Sequence, residues 1–168
     1  MSDVNIEKIT NAAWVVHLGP LVEKFVQRAE LPNVSYHSLV HVLQERAQFG
    51  GEAVELWVAR NETETFGWAS WRVALPPLIA TVYWDYLYTI GNRKDITRMF
   101  AAEFIRFKNK HNAIYIKMDV TKHGKVLKHF QEMAKEQGYE MNLQSYYPCL
   151  ATNVDYYKKS LREGEQDG

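Results

Sequence analysis

Two runs rich in β-branched and aromatic residues, 79–90 and 113–120, bracket a segment whose apolar residues fall at helical spacing. Ile96, Phe100, Phe104 and Phe107 recur at intervals of four, four and three, with Arg98, Glu103, Arg106 and Lys110 off that line. Such a stripe is the buried face of an amphipathic helix. The flanking runs have the period and composition of strands. A strand–helix–strand unit this compact predicts a right-handed crossover between parallel strands. Residues 79–90 are apolar on both faces, so they read as a central strand covered on two sides. The fold class is therefore α/β.

The rest of the chain builds around this unit. Residues 4–9 alternate weakly, as a short first strand would. Asn11 is a candidate cap for a following helix, since its side-chain oxygen can accept from an early helical N–H. Val15, Val16, Leu21, Val22, Phe25 and Val26 follow near helical spacing, and Gly19-Pro20 should kink or split that helix. Tyr36, Leu39, Val40 and Leu43 mark a second helix, ending near Gly50-Gly51. Residues 55–60 and 66–75 read as two strands joined by a polar connector, 61–65, which is a hairpin pattern. Gly91 ends the central strand, and Asp95 or Thr97 is expected to cap the next helix. A last helix carries Val126, Leu127, Phe130, Met133 and Ala134 on one side, with Gly138 at its C-terminal end. Residues 139–150 read as a final strand and 163–168 as a disordered tail.

Composition excludes several classes. Twenty-two aromatic residues in 168 support a packed core and argue against disorder. A single cysteine, Cys149, excludes a disulfide scaffold and reads as a buried thiol. No apolar run reaches membrane-spanning length, and residues 1–5 lack the features of a secretory signal, so a cytoplasmic location is expected. Net charge is zero but uneven: −4 over residues 1–90, +6 over 91–137 and −2 over 138–168. An electropositive middle in a neutral chain favours a local polyanion site. A nucleic-acid surface on Lys108, Lys110, Lys117, Lys122, Lys125 and Lys128 is disfavoured, because few exposed aromatics accompany it for base stacking. His37 and His41 sit i, i+4 without a third metal ligand, so no metal site is expected.

The order β-α-α-β-β-β-α-β-α-β over residues 4–150 resembles the GCN5-related N-acetyltransferase (GNAT) superfamily. Local support lies in 81–139: Leu87-Tyr88-Thr89-Ile90 before a loop with Arg93, then helix, strand, helix and Gly138-Tyr139-Glu140, which is similar to the family's Gly-Phe-Glu. The chain looks most like the divergent members found in bacteriophages. The resemblance implies a mixed sheet of about six to seven strands with about four helices, in one domain over 1–150. Residues 151–168 would then form a C-terminal extension, partly disordered. It also implies acetyl-CoA or another acyl-CoA bound where two parallel strands splay apart. The pantetheine would pair with the edge carrying Leu87 and Thr89, and the pyrophosphate would sit on the turn carrying Arg93, Lys94, Thr97 and Arg98. Backbone N–H groups at a helix start suit such an anion.

The family's turn reads Gln/Arg-x-x-Gly-x-Gly/Ala. Arg93 matches its first position, whereas Ile96 and Arg98 stand at the two small-residue positions and should crowd a phosphate. Ala134 stands where many members carry a Tyr acid. Aminolysis of a thioester needs a base for the amine proton. Asp85, expected on one face with Leu87 and Thr89, is the best-placed carboxylate, and an ion pair is its plainer role. His129, Tyr88 and Tyr139 are candidate donors to the leaving thiolate, with packing as the plainer role. Trp57, Trp68, Trp71, Tyr83, Trp84 and Tyr86 would line an acceptor cleft, or form core and an association surface. The readings that follow are an N-acyltransferase acting on an amine acceptor, or a non-catalytic GNAT-fold protein that binds a macromolecular partner. The second includes a phage accessory or virion-associated protein; a homo-oligomer fits either.

Overall fold

A computed structural model describes residues 4–29, 34–74, 81–118, 131–132, 135–136 and 138. The chain divides into one unit over residues 1–119 and another over 120–168. In the first unit, β1 (Asn5–Lys8) leads through a 3₁₀ turn (Ala12–Leu18) into α1 (Gly19–Ala29) and α2 (Tyr36–Phe49). β2 (Val54–Arg60), β3 (Thr65–Ala74) and β4 (Thr81–Thr89) follow. A second 3₁₀ turn (Ile90–Asn92), α3 (Lys94–Lys110) and β5 (Tyr115–Met118) complete the described elements. The sheet order is β1-β2-β3-β4-β5, antiparallel throughout except for the parallel β4–β5 pair. The mixed sheet and its helices match the expected architecture, with five strands among the described residues.

Local chemistry explains the breaks. Asn11 Oδ1 accepts from the Ala13 N–H at 2.8 Å and starts the 3₁₀ turn. Gly19-Pro20 then splits the predicted helix, since proline has no N–H to continue it. Ser35 and Ser38 form a reciprocal capping box at the start of α2.

The sheet separates two apolar layers. On one face, Leu18, Val22, Leu39 and Leu43 pack with Leu56, Val58, Trp68 and Tyr88, all buried. On the other, Trp71 meets Trp84, Phe104 and Phe107, with ring centroids 5.6, 5.7 and 6.4 Å away. The predicted stripe of α3 is buried as expected. Glu55 is only 8% exposed, yet its carboxylate is fully used. Oε2 accepts from Trp57 Nε1 (2.9 Å) and Trp71 Nε1 (3.1 Å), and Oε1 meets Lys8 Nζ at 3.0 Å. One acid thus satisfies two indole N–H groups that burial would otherwise strand.

In the second unit, residues 131–132 and 135–136 are helical. Gly138 has φ +79°, with its N–H on the Lys135 carbonyl at 3.0 Å, as expected of a helix-ending glycine. The readings at 126, 127, 130, 133, 134, 139–150 and 163–168 lie outside the described residues, as do His129, Tyr139 and Cys149.

Trp71 is fully buried against four aromatic rings, those of Trp57, Trp84, Phe104 and Phe107. Trp71→Ala should therefore lower unfolding free energy by about 3–5 kcal/mol, read from urea denaturation, whereas an equivalent change at exposed Phe49 should have little effect.

Candidate functional site

The centre of β4 is irregular. Ser70 pairs with Tyr86 while its neighbour Trp71 pairs with Trp84, so Asp85 is an extra residue opposite one link of β3. Such a bulge breaks the alternation of side chains. Trp84 turns to α3, whereas Tyr86 turns to the α1–α2 side and packs on Phe25 and Trp68. Tyr88 follows it to that side, against Phe25 and beneath the Arg28 guanidinium. Asp85 also faces α2, through Arg46. The expectation that Asp85 shares a face with Leu87 and Thr89 is thus corrected: the bulge puts those two on the opposite side, with Thr89 buried.

Asp85 Oδ2 lies 2.8 Å from Arg46 Nη1 and 3.2 Å from Arg72 Nε. These are ion-pair distances, but the N–H directions miss the oxygen, which has no hydrogen bond. No hydrogen bond to Oδ1 is found among the described residues either. Arg46 Nη1 donates to Ser70 Oγ at 2.7 Å, and Ser70 in turn donates to the Glu55 carbonyl. The Arg46 guanidinium also lies 5.1 Å over the Tyr86 ring. α2, the bulge and β2 are therefore tied into one polar network.

β4 and β5 pair from Thr81↔Tyr115 to Trp84↔Met118, while β4 runs on to Thr89. Past Thr89 the chain turns through Gly91 (φ +68°) and Asn92 (φ +52°) into α3. Glycine takes that left-handed conformation without the clash a Cβ brings.

The cap of α3 differs from expectation. Arg93 is its N-cap residue and makes no side-chain cap bond; Asp95 lies within the first turn. Thr97 donates from both N and Oγ1 to the Arg93 carbonyl, at 3.1 and 3.0 Å, so its hydroxyl turns inward and fixes the turn. Ile96 is fully buried in the core stripe and does not fill the space outside the turn; Lys94 and Arg98 are exposed. The Arg93 guanidinium pairs with the Asp95 carboxylate through Nε and Nη2, 5.2 Å over the Phe66 ring. The Arg93 hydrogen bond holds the Asp95 carboxyl below the usual carboxylate range, and the backbone N–H groups of Ile96 and Asp95 add to this. The Asp95 carboxylate is thus tied to Arg93 beside the opening of the helix. Sequence reasoning missed it, although Arg-x-Asp ahead of an apolar stripe was visible.

His41 pairs with Glu45 at 3.6 Å and His37 packs edge-on against Tyr36. No group of three metal-ligating side chains occurs among the described residues, and none of their helices is long and apolar enough to cross a membrane.

Solved structures share this architecture. A predicted acetyltransferase from Clostridium acetobutylicum, solved with acetyl-CoA, superposes with TM-score 0.64 at 14% identity, covering 90% of this chain and 99% of its own. The fold is the GNAT fold. A ribosomal-protein-alanine N-acetyltransferase from Brucella melitensis biovar Abortus 2308 gives 0.60 at 16% identity, covering 86% of this chain and 96% of its own. An aminoglycoside N-acetyltransferase in complex with CoA gives 0.62 at 12% identity, covering 88% and 94%. No family model and no curated protein matches the chain.

The Arg93–Asp95 pair fixes a pH response. A depressed carboxyl contributes stability above its unfolded value of about 3.9, lost as pH falls through the lower folded value. The pair is exposed, so that contribution is small. The Asp95 side-chain carbon should titrate by NMR with a midpoint below that value, and Arg93→Gln should move the midpoint up.

Proposed function

We propose that this protein transfers an acyl group from acyl-CoA to an amine by direct attack. The observation that supports this most is the Asp85 bulge, past which β4 carries Leu87 and Thr89 into the turn that opens α3. In this reading the β4 edge at Leu87 and Thr89 pairs with the pantetheine amides. The opening turn of α3 receives the diphosphate, with Lys94 and Arg98 as exposed cations and Arg93 released from Asp95 to join them. Thr97 holds the turn closed from within. The acetyl-CoA and CoA complexes among proteins of this fold agree with such a ligand.

The chemistry asks little of the chain. The amine nitrogen bonds to the thioester carbon, the C–S bond breaks, and the thiolate leaves with the electron pair. Asp85 Oδ1 is the candidate acceptor for the proton lost by nitrogen. Bound acyl-CoA supplies the activated carbonyl; the bulge sets where the base stands. A cytoplasmic location would suit an acyl-CoA user.

One observation favours a second reading. The Asp95 carboxylate already engages the turn, and a protein that kept the GNAT shape only to bind a partner would have no reason to release it. The phage accessory or virion-associated role belongs here.

Calorimetry separates the two. Acetyl-CoA should bind the wild type, and Lys94→Ala or Arg98→Ala should weaken it about three- to ten-fold by loss of a phosphate cation. Asp95→Ala should tighten it by removing a competing anion. No binding at millimolar acetyl-CoA would leave only the binding reading. Thiol release with mixed amines then tests turnover.

A further inference from the structure

On the transferase reading, we infer that the acceptor is a small amine carrying an oxyanion group, and that Arg72 binds that group. Arg72, Tyr83 and Lys117 are register partners on β3, β4 and β5, so they form a row across three strands on one face. The Arg72 guanidinium lies 4.1 Å over the Tyr83 ring and Lys117 Nζ 5.6 Å from the same ring. This face is the one Asp85 turns to, two residues along β4 from Tyr83.

The geometry of Arg72 is that of a prepared donor. Its Nε is drawn to Asp85, and Tyr83 fixes the plane of the guanidinium. Nη1 and Nη2 have no partner among the described residues, and the side chain is 39% exposed. A planar fork held at one end presents two parallel N–H groups, the arrangement that takes a carboxylate or phosphate in bidentate fashion. Arg46 differs: its side chain is 15% exposed and its Nη1 is committed to Ser70 and Asp85.

Charge points the same way. Arg46 and Arg72 flank one carboxylate, Asp85, which leaves an excess of positive charge where the acceptor would approach. A polycationic amine would meet like charge there. Because Arg72 and Asp85 touch, the oxyanion and the reacting nitrogen must lie close together on one small molecule, as in an amino acid or a phosphorylated amino alcohol.

The test titrates four amines, with and without acetyl-CoA, and then assays acetyl transfer to each: glutamate, O-phosphoethanolamine, ethanolamine and spermidine. The wild type should use at least one of the first two about ten-fold or more better in kcat/KM than ethanolamine, the size of one charge-assisted hydrogen-bond pair. Which of the two is preferred identifies carboxylate or phosphate. Arg72→Gln should abolish the preference, mainly through KM, and Arg72→Lys should restore part of it, both with an unchanged circular dichroism spectrum. Preference for spermidine, or a preference that survives Arg72→Gln, overturns the inference. So does bound acetyl-CoA with neither anionic amine bound or used. Anionic amines bound through Arg72 without any acetyl-CoA binding would instead remove the transferase reading and leave the oxyanion site standing.

Discussion

The pairing of one carboxylate with two guanidinium groups at the Asp85 bulge organises everything around it. An extra residue in a central strand is unfavourable unless its side chain finds partners, because it interrupts the ladder and enters a half-buried layer. Arg46 reaches it from α2 and Arg72 from β3. The same extra residue reverses the alternation of β4, so that Trp84 packs under α3 while Tyr86 packs under α1. Without it, one of these large rings would face the wrong layer.

The two layers hold the bulge in place from opposite sides. Trp71 and Trp84 lock β3 and β4 to Phe104 of α3, and Trp68 and Tyr86 lock the same strands to Phe25 of α1. The site therefore sits on rigid strands, while the turn 90–93 joins β4 to a helix whose buried stripe fixes its position. On the proposed transferase reading, pre-positioned donors and cations would carry the catalysis, since aminolysis needs placement and charge more than it needs a special nucleophile. Asp95 adds a counterweight, since its carboxylate pairs with Arg93 at the opening of α3.

Much of this was legible in the residues. The spacing of Ile96, Phe100, Phe104 and Phe107 specified α3, and Gly19-Pro20, Gly50-Gly51 and Gly91 marked real breaks. The order of elements over residues 4–150 carried the resemblance; the described part of that order runs through β5, and the superposed structures share the fold. What the sequence hid were effects of tertiary pairing. A one-residue bulge leaves no mark in a run where nearly every residue is apolar or aromatic, so the face of Asp85 was misassigned. Ile96 was read both as a core residue and as an obstacle to phosphate; burial resolves it as the first. Asp95 and Thr97 are both cap candidates by residue type, but Arg93 takes the N-cap position and claims the Asp95 carboxylate.

The proposed pairing of acyl-CoA with β4 beyond the bulge requires that strand edge to be open in the free protein. Amide hydrogen exchange read by NMR tests it most directly. In the free protein, the N–H groups within residues 85–89 that point away from β3 should exchange rapidly, and saturating acetyl-CoA should slow them strongly while leaving the Thr81–Trp84 segment unchanged. Slow exchange at those positions before any ligand is added, with no change after it, would mean the edge is already occupied and would contradict the account.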